Sequence, residues 1–351
     1  MAKHGLNIKT CQGCLRSGSS NNGWALCIGA GASDPIFPRW SKLVDGLIRW
    51  SDGTLKDDQI QRLSATLSLE SLIQAVFHRK SLPSYQCAQV LSSLLYANFK
   101  SNLTTPEWDL VQRVFQDTNL SAMTDADASR LLNILTTKFP DSTPVQIAET
   151  LCRAIENEVP PAAILSFNAE PLVLTSTNAY LRCNSTLPKK KYFDVSLRGI
   201  SYRKTGRVPY HFCHGLLPLP GQAPRSHTES LDKLVFSETE YLSLASSNYS
   251  WQSAIFLNTA MSQSLVFVGL SFADPNLRRW LGFVHANRVD ELRRIGSKPD
   301  ASTRHYWINR CPKTVEEQEL IEASTAHLGV RLVWIDEWRQ TRDALQGMLS
   351  I

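Results

Sequence analysis

Six short apolar runs constrain this chain more than any other feature. They are Trp24 to Ile28, Ala162 to Phe167, Val208 to Cys213, Leu265 to Val268, His305 to Asn309 and Val330 to Ile335. Most are apolar throughout, without the alternation of a strand that wets one face, so they read as strands covered on both sides. Helical patterns separate the later runs, as in Pro275 to Val284 and Thr314 to Leu328. Strand–helix alternation with apolar strands predicts an α/β fold, a Rossmann-like doubly wound parallel sheet. Between the first two strands the period changes. Leu43, Leu47 and Ile48 share one face, as do Leu69, Leu72 and Val76, then Val90, Leu91, Leu94 and Leu95. Leu131, Leu132 and Leu135, and then Val145, Ala148, Leu151 and Ile155, continue the series, with prolines 83, 106, 140 and 144 as punctuation. This is a large helical insertion at about 41–158 within a domain spanning 23–351. Residues 1–22 are polar, end in the Ser17 to Asn22 stretch, and read as an N-terminal arm and linker.

Composition removes several function classes. Hydrophobic residues make up 43% of the 351 and charged residues 20%, which excludes disorder as the main state. The net charge of +5 is too mild to argue direct nucleic-acid binding, and Lys189-Lys190-Lys191 beside Pro188 reads as a solvated loop. No apolar stretch is long enough for a membrane helix and the N-terminus has no apolar signal region, so a cytoplasmic protein off the membrane is expected. The eight cysteines are then mostly thiols. Cys11-x-x-Cys14 has no second Cys-x-x-Cys, so no metal is expected and the pair reads as two free thiols on a flexible segment.

In doubly wound sheets ligands bind beyond the carboxyl ends of the strands. Four such ends carry unusual residues here: Gly29-Ala30-Gly31-Ala32-Ser33, Asn168, His214-Gly215 and Gly269-x-Ser271. Two close glycines admit a phosphate to the backbone, and a following helix would offer N–H groups. A dinucleotide fingerprint would place a third glycine at position 34, where Asp34 stands, and no acidic residue ends a second strand about 20 residues on. A nicotinamide dehydrogenase is therefore a poor fit. Bland readings exist for single residues. Asn168 suits a helix N-cap before Pro171, Asp274-Pro275 reads as an N-cap with proline in the first turn, His211 falls on the alternate strand face, and Trp334 and Trp338 read as core and rim.

The ordered set resembles a known family. GAGAS at 29–33 with Pro38-x-Trp40-x-x-Leu43 is similar to the opening motif of SIR2-like (sirtuin-related) proteins. LSFNAEPLV at 165–173, YHFCHG at 210–215, FSETEYLSL at 236–244 and LVFVGLSFADPNLRRWL at 265–281 resemble the segments that follow in that family. Within it, the chain resembles the bacterial antiphage-defence effectors more than the protein deacylases, whose four-cysteine zinc module has no counterpart between Cys213 and Cys311. The resemblance implies an NAD+ glycohydrolase that cleaves NAD+ to nicotinamide and ADP-ribose, with Asn168 and His214 catalytic. It implies NAD+ binding, as substrate, at Gly29, Ala30, Gly31, Ser33, Asp34, Gly269 and Ser271. Bond cleavage through an oxocarbenium-like state needs no general acid, because nicotinamide leaves neutral. Asn168 can place a ribose hydroxyl or water, and His214 can serve as base.

Ala169-Glu170 stand where the family has Tyr-Asp, with Glu170 in place of the acid. Another asparagine in a similar local context, Asn178, falls inside the next helical segment. The alternative from another class is a catalytically silent subunit that binds NAD or ADP-ribose, and a protein deacylase is disfavoured. The chain ends about 16 residues past its last strand, leaving no room for a sensor domain. A homo-oligomer or a separately encoded sensor protein is therefore expected as partner.

Overall fold

The computed structural model describes residues 5–16, 23–116, 123–197, 206–221, 234–246, 250–297 and 304–351. Its eight strands are β1 (Leu6–Asn7), β2 (Trp24–Ile28), β3 (Ala163–Ser166), β4 (Phe193–Ser196), β5 (Val208–Phe212), β6 (Ser264–Val268), β7 (His305–Arg310) and β8 (Val330–Ile335). They form one sheet of order β1-β8-β7-β6-β2-β3-β5-β4, and every neighbouring pair is parallel. Without the edge strands β1 and β4, the order β5-β3-β2-β6-β7-β8 is the Rossmann order. The chain reverses direction at β2, which makes the ends of β2, β3 and β6 the switch point.

Seven helices fill the interval between β2 and β3: α1 (Trp40–Ser51), α2 (Asp57–Thr66), α3 (Leu69–Lys80), α4 (Ser84–Ser101), α5 (Thr105–Gln116), α6 (Asp125–Lys138) and α7 (Thr143–Glu156). Then come α8 (Leu172–Cys183), α9 (Glu238–Ser246), α10 (Trp251–Ser262), α11 (Pro275–Arg294), α12 (Val315–Ala326) and α13 (Thr341–Leu349). Side-chain caps start several of them, such as Ser68 on α3, Thr124 on α6 and Thr314 on α12. Among the described residues no helix is long and apolar enough to cross a membrane.

The central strands are buried on both faces, and their two-residue period divides the core. Leu26, Ile28, Ile164, Phe212 and Val268 pack with α7, α8 and α13. Ala25, Cys27, Leu165 and Phe267 pack with α10 and α11. The helical block has its own core, where Phe37 meets Tyr96 at 5.1 Å and Phe99 at 5.3 Å, both edge to face. That core also takes in Leu172 and Ala179 of α8, and Leu217, Leu219 and Phe236 from the chain after β5. The block is thereby seated beside the carboxyl ends of β3 and β5.

The six apolar runs all become strands, and β1 and β4 add two that periodicity did not show, being two and four residues long. Cys11 and Cys14 are free thiols, but the flexible reading of their segment needs correction. Leu6 pairs with Val333 and Asn7 with Trp334, the Leu15 N–H donates to the Met348 carbonyl at 3.1 Å, and Cys11 is fully buried. Three apolar side chains, Leu6, Cys11 and Leu15, draw the segment onto α13 and β8. Burial pushes the half-buried Cys14 thiol up to about 12. The expected linker at Ser17 to Asn22 lies outside the described residues.

Candidate functional site

Strand register brings the singled-out segments to one level. Ile28 pairs with both Ser166 and Val268, and Ser166 pairs with Phe212. The residues just beyond these positions, at 29, 168, 214 and 269, therefore emerge together. The glycine turn closes tightly on β6. Gly29 N–H donates to the Val268 carbonyl at 3.0 Å and Gly31 N–H to the Gly269 carbonyl at 2.9 Å. Gly269 has φ +68°, and a Cβ there would stand 2.0 Å from the Ala32 nitrogen, so only glycine fits. The turn continues as a single 3-10 turn, Ala30–Ser33, and α1 starts only at Trp40. The helix expected directly after the glycines is absent, because residues 34–39 intervene. These two glycine N–H groups are spent on β6, and a Cβ on Gly29 or Gly31 would meet the Gly269 carbonyl, so both glycines serve the close packing of the turn on the end of β6.

Beneath the turn lies a polar cluster inside the protein. Ser33, Asn168 and Glu170 are 2%, 4% and 4% exposed. The Ser33 hydroxyl donates to Glu170 Oε1 at 2.6 Å. Asn168 Nδ2 donates to Ser33 Oγ at 2.9 Å and to Glu170 Oε1 at 3.0 Å. Glu170 Oε2 accepts the Leu172 N–H at 2.5 Å, at the start of α8. With the amide nitrogen facing a carboxyl, the Asn168 orientation is fixed by its network. Its Oδ1 is buried with no hydrogen-bond partner. Burial raises the Glu170 pKa to about 7 against the three hydrogen bonds that favour the carboxylate. Glu170's charge in turn helps to raise the pKa values of Tyr96 and Tyr210, for which burial is the larger cause.

His214 is half-buried, with its ring edge-on to Phe167 at 5.2 Å. Burial lowers its pKa below 6.5, and the Asp274 charge opposes this. The imidazole is thus neutral near pH 7 and free to take a proton. Asp274 does cap α11, accepting from Asn276 N–H at 2.8 Å and Leu277 N–H at 3.3 Å. It also accepts the Tyr241 hydroxyl from α9. The N-cap reading of Asp274 is correct but incomplete, since it overlooks the charge this residue sets beside His214. Tyr241 and Asp274 both sit inside segments that carry the family resemblance.

The remaining residues scatter. Asp34 pairs with Arg39 at 2.9 Å. Ser271 is exposed, and its hydroxyl accepts the Ala273 N–H at 3.2 Å. Neither joins the buried cluster. Asn178 is buried within α8, away from any strand end. Cys213 lies under the site, and burial pushes its thiol up to about 12, which makes it a poor nucleophile. Among the described residues no group of three or more His, Cys, Asp or Glu could hold a metal.

Residues 200–332 match the family model described as SIR2-like domain. The matched stretch includes His214, Gly269, Ser271 and Asp274, while Gly29 to Ser33 and Asn168 precede it. No curated protein matches the chain.

Proposed function

We propose that this chain, which carries a SIR2-like domain, binds NAD+ over the ends of β2, β3 and β6 and hydrolyses it to nicotinamide and ADP-ribose. One observation carries the reading: the Asn168 amide is locked by Ser33 and Glu170 with its carbonyl oxygen buried and unpartnered. A buried acceptor left open at a strand end is matched by a ribose hydroxyl or by the attacking water. The nicotinamide–ribose bond breaks toward an oxocarbenium-like ribose, and nicotinamide leaves as a neutral molecule. Water adds to the anomeric carbon and its proton passes to a base, for which neutral His214 is placed two residues past β5. Gly29, Gly31 and Gly269 let the turn after β2 close on the end of β6, and the dinucleotide would lie over that closed turn.

Such a reaction drains cellular NAD+ and suits an antiphage effector restrained by self-assembly or by a separate sensor protein. The test is release of fluorescence from an etheno-NAD analogue by the purified chain, alone and with its genomic neighbour. Asn168→Ala and His214→Ala should each lower the rate about 10²–10⁴-fold with the fold intact. Full activity in Asn168→Ala would sink the assignment. Tight ADP-ribose binding with no turnover under any condition would favour the silent-subunit reading, for which Ala169 in place of an aromatic is the motive.

A further inference from the structure

The opposite end of the sheet holds a second polar cluster. There α11, having started beside the cleft at Asp274, reaches the amino ends of β6 and β7. His285 and Arg288 are three residues apart and lie on one helix face. Arg304 directly precedes β7 and is 8% exposed. Its Nη1 donates to the Met261 carbonyl at 2.8 Å and its Nη2 to the Ser262 carbonyl. These are the last carbonyls of α10, where a cation is favoured. That accounts for two of the Arg304 donors and for nothing else in the cluster. Arg304 Nε, Arg288 Nε and His285 Nδ1 are all buried without a hydrogen-bond partner.

The neighbours do not compensate. His305 accepts the Leu265 N–H on Nδ1 at 3.1 Å, so its neutral ring carries the proton on Nε2. Burial, then Arg304, Arg288 and His285, hold its pKa down to about 3. Burial and then Arg288 lower the Arg304 pKa, while burial, His327 and Arg288 lower that of His285. No carboxylate is bonded to Arg288 or Arg304 among the described residues. Two guanidinium groups thus feel each other's charge while a buried Nε of each goes unused, an arrangement that costs free energy unless an acceptor is supplied.

We propose that His285, Arg288 and Arg304 form an oxyanion site for a phosphate, free or carried by a nucleotide, at the amino end of β6 and β7. A tetrahedral anion brings several acceptor oxygens, enough for the unused donors of α11 and of the start of β7, and guanidinium groups suit its geometry. The site stands apart from the cleft and does not depend on the reading of Asn168 and His214.

The experiment is calorimetric titration of the full chain with inorganic phosphate, against chloride at matched ionic strength. Saturable phosphate binding that Arg288→Gln weakens about tenfold supports the site, since a charge-assisted bond is lost. Arg288→Lys should weaken it too, because the charge stays and the Nε donor goes. Arg304 caps α10, so Arg304→Gln risks unfolding and is not the deciding variant. A parallel ADP titration identifies the source: an equal loss in Arg288→Gln points to nucleotide phosphates, and no loss points to free phosphate. Absence of saturable phosphate binding overturns the proposal, as does equal phosphate binding by wild type and Arg288→Gln.

Discussion

Replacing Glu170 with glutamine should flatten the pH dependence of stability. In the folded chain burial raises this carboxyl from 4.5 to about 7, and the side chain is only 4% exposed, so solvent screening is minor. A carboxyl whose folded pKa is raised stabilises most below its unfolded value, and that contribution is lost as pH climbs through the folded value. At 1.36 kcal/mol per pKa unit the full loss is about 3 kcal/mol, of which about 2 kcal/mol falls between roughly pH 5.5 and pH 8. Glutamine keeps the oxygen that accepts from Ser33 and Asn168 but turns an amide N–H toward the Leu172 N–H. That conflict costs about 1–3 kcal/mol at every pH. The change between the two pH values is therefore the diagnostic quantity, and absolute stability is not. Urea unfolding of wild type and Glu170→Gln at both pH values gives it, and titrations shared by the two proteins cancel. Equal pH slopes in wild type and variant would refute the assignment of a neutral-range proton to Glu170.

Gly269→Ala should lower stability by about 1–2 kcal/mol from the left-handed backbone at φ +68°, and by more because the new Cβ meets backbone at Ala32. An unchanged urea midpoint would contradict the close packing of β6 on the glycine turn. The purified chain should hold no stoichiometric zinc, and the proposed NAD+ hydrolysis should survive a chelator, since Cys11 is buried and hydrogen-bonded to the Ile8 and Ala344 carbonyls. One zinc per chain by elemental analysis would overturn this.

The elements most legible in the sequence were those decided by burial on both faces. Trp24 to Ile28 and Val330 to Ile335 have no polar interruption strong enough to suggest anything but a covered strand, and they form one. Leu6–Asn7 carries no such signal, because a two-residue edge strand is made by β8 offering a free ladder and not by its own pattern. Phe193–Ser196 likewise owes its existence to the exposed edge of β5. Helix starts were legible where a cap and a proline coincide, as at Asp274-Pro275, because both act within one turn.

The candidate site was legible as a set of strand ends but not as a network. Ser33 and Asn168 are 135 residues apart, and no local pattern states that the hydroxyl and the amide share one carboxyl. Parallel register supplies that information: once Ile28 is level with Ser166, the residues after β2 and after β3 share one space. Glu170 then gains its meaning from depth. On a surface it would be an ordinary carboxylate capping α8. Buried, it becomes a group that changes charge near neutral pH and also holds the amide that the proposed chemistry uses. If the proposed chemistry holds, that one side chain couples stability to activity. As Glu170 ionises, the acceptor on Asn168 Nδ2 strengthens while the fold weakens, so the site is held most firmly where the protein around it is less stable.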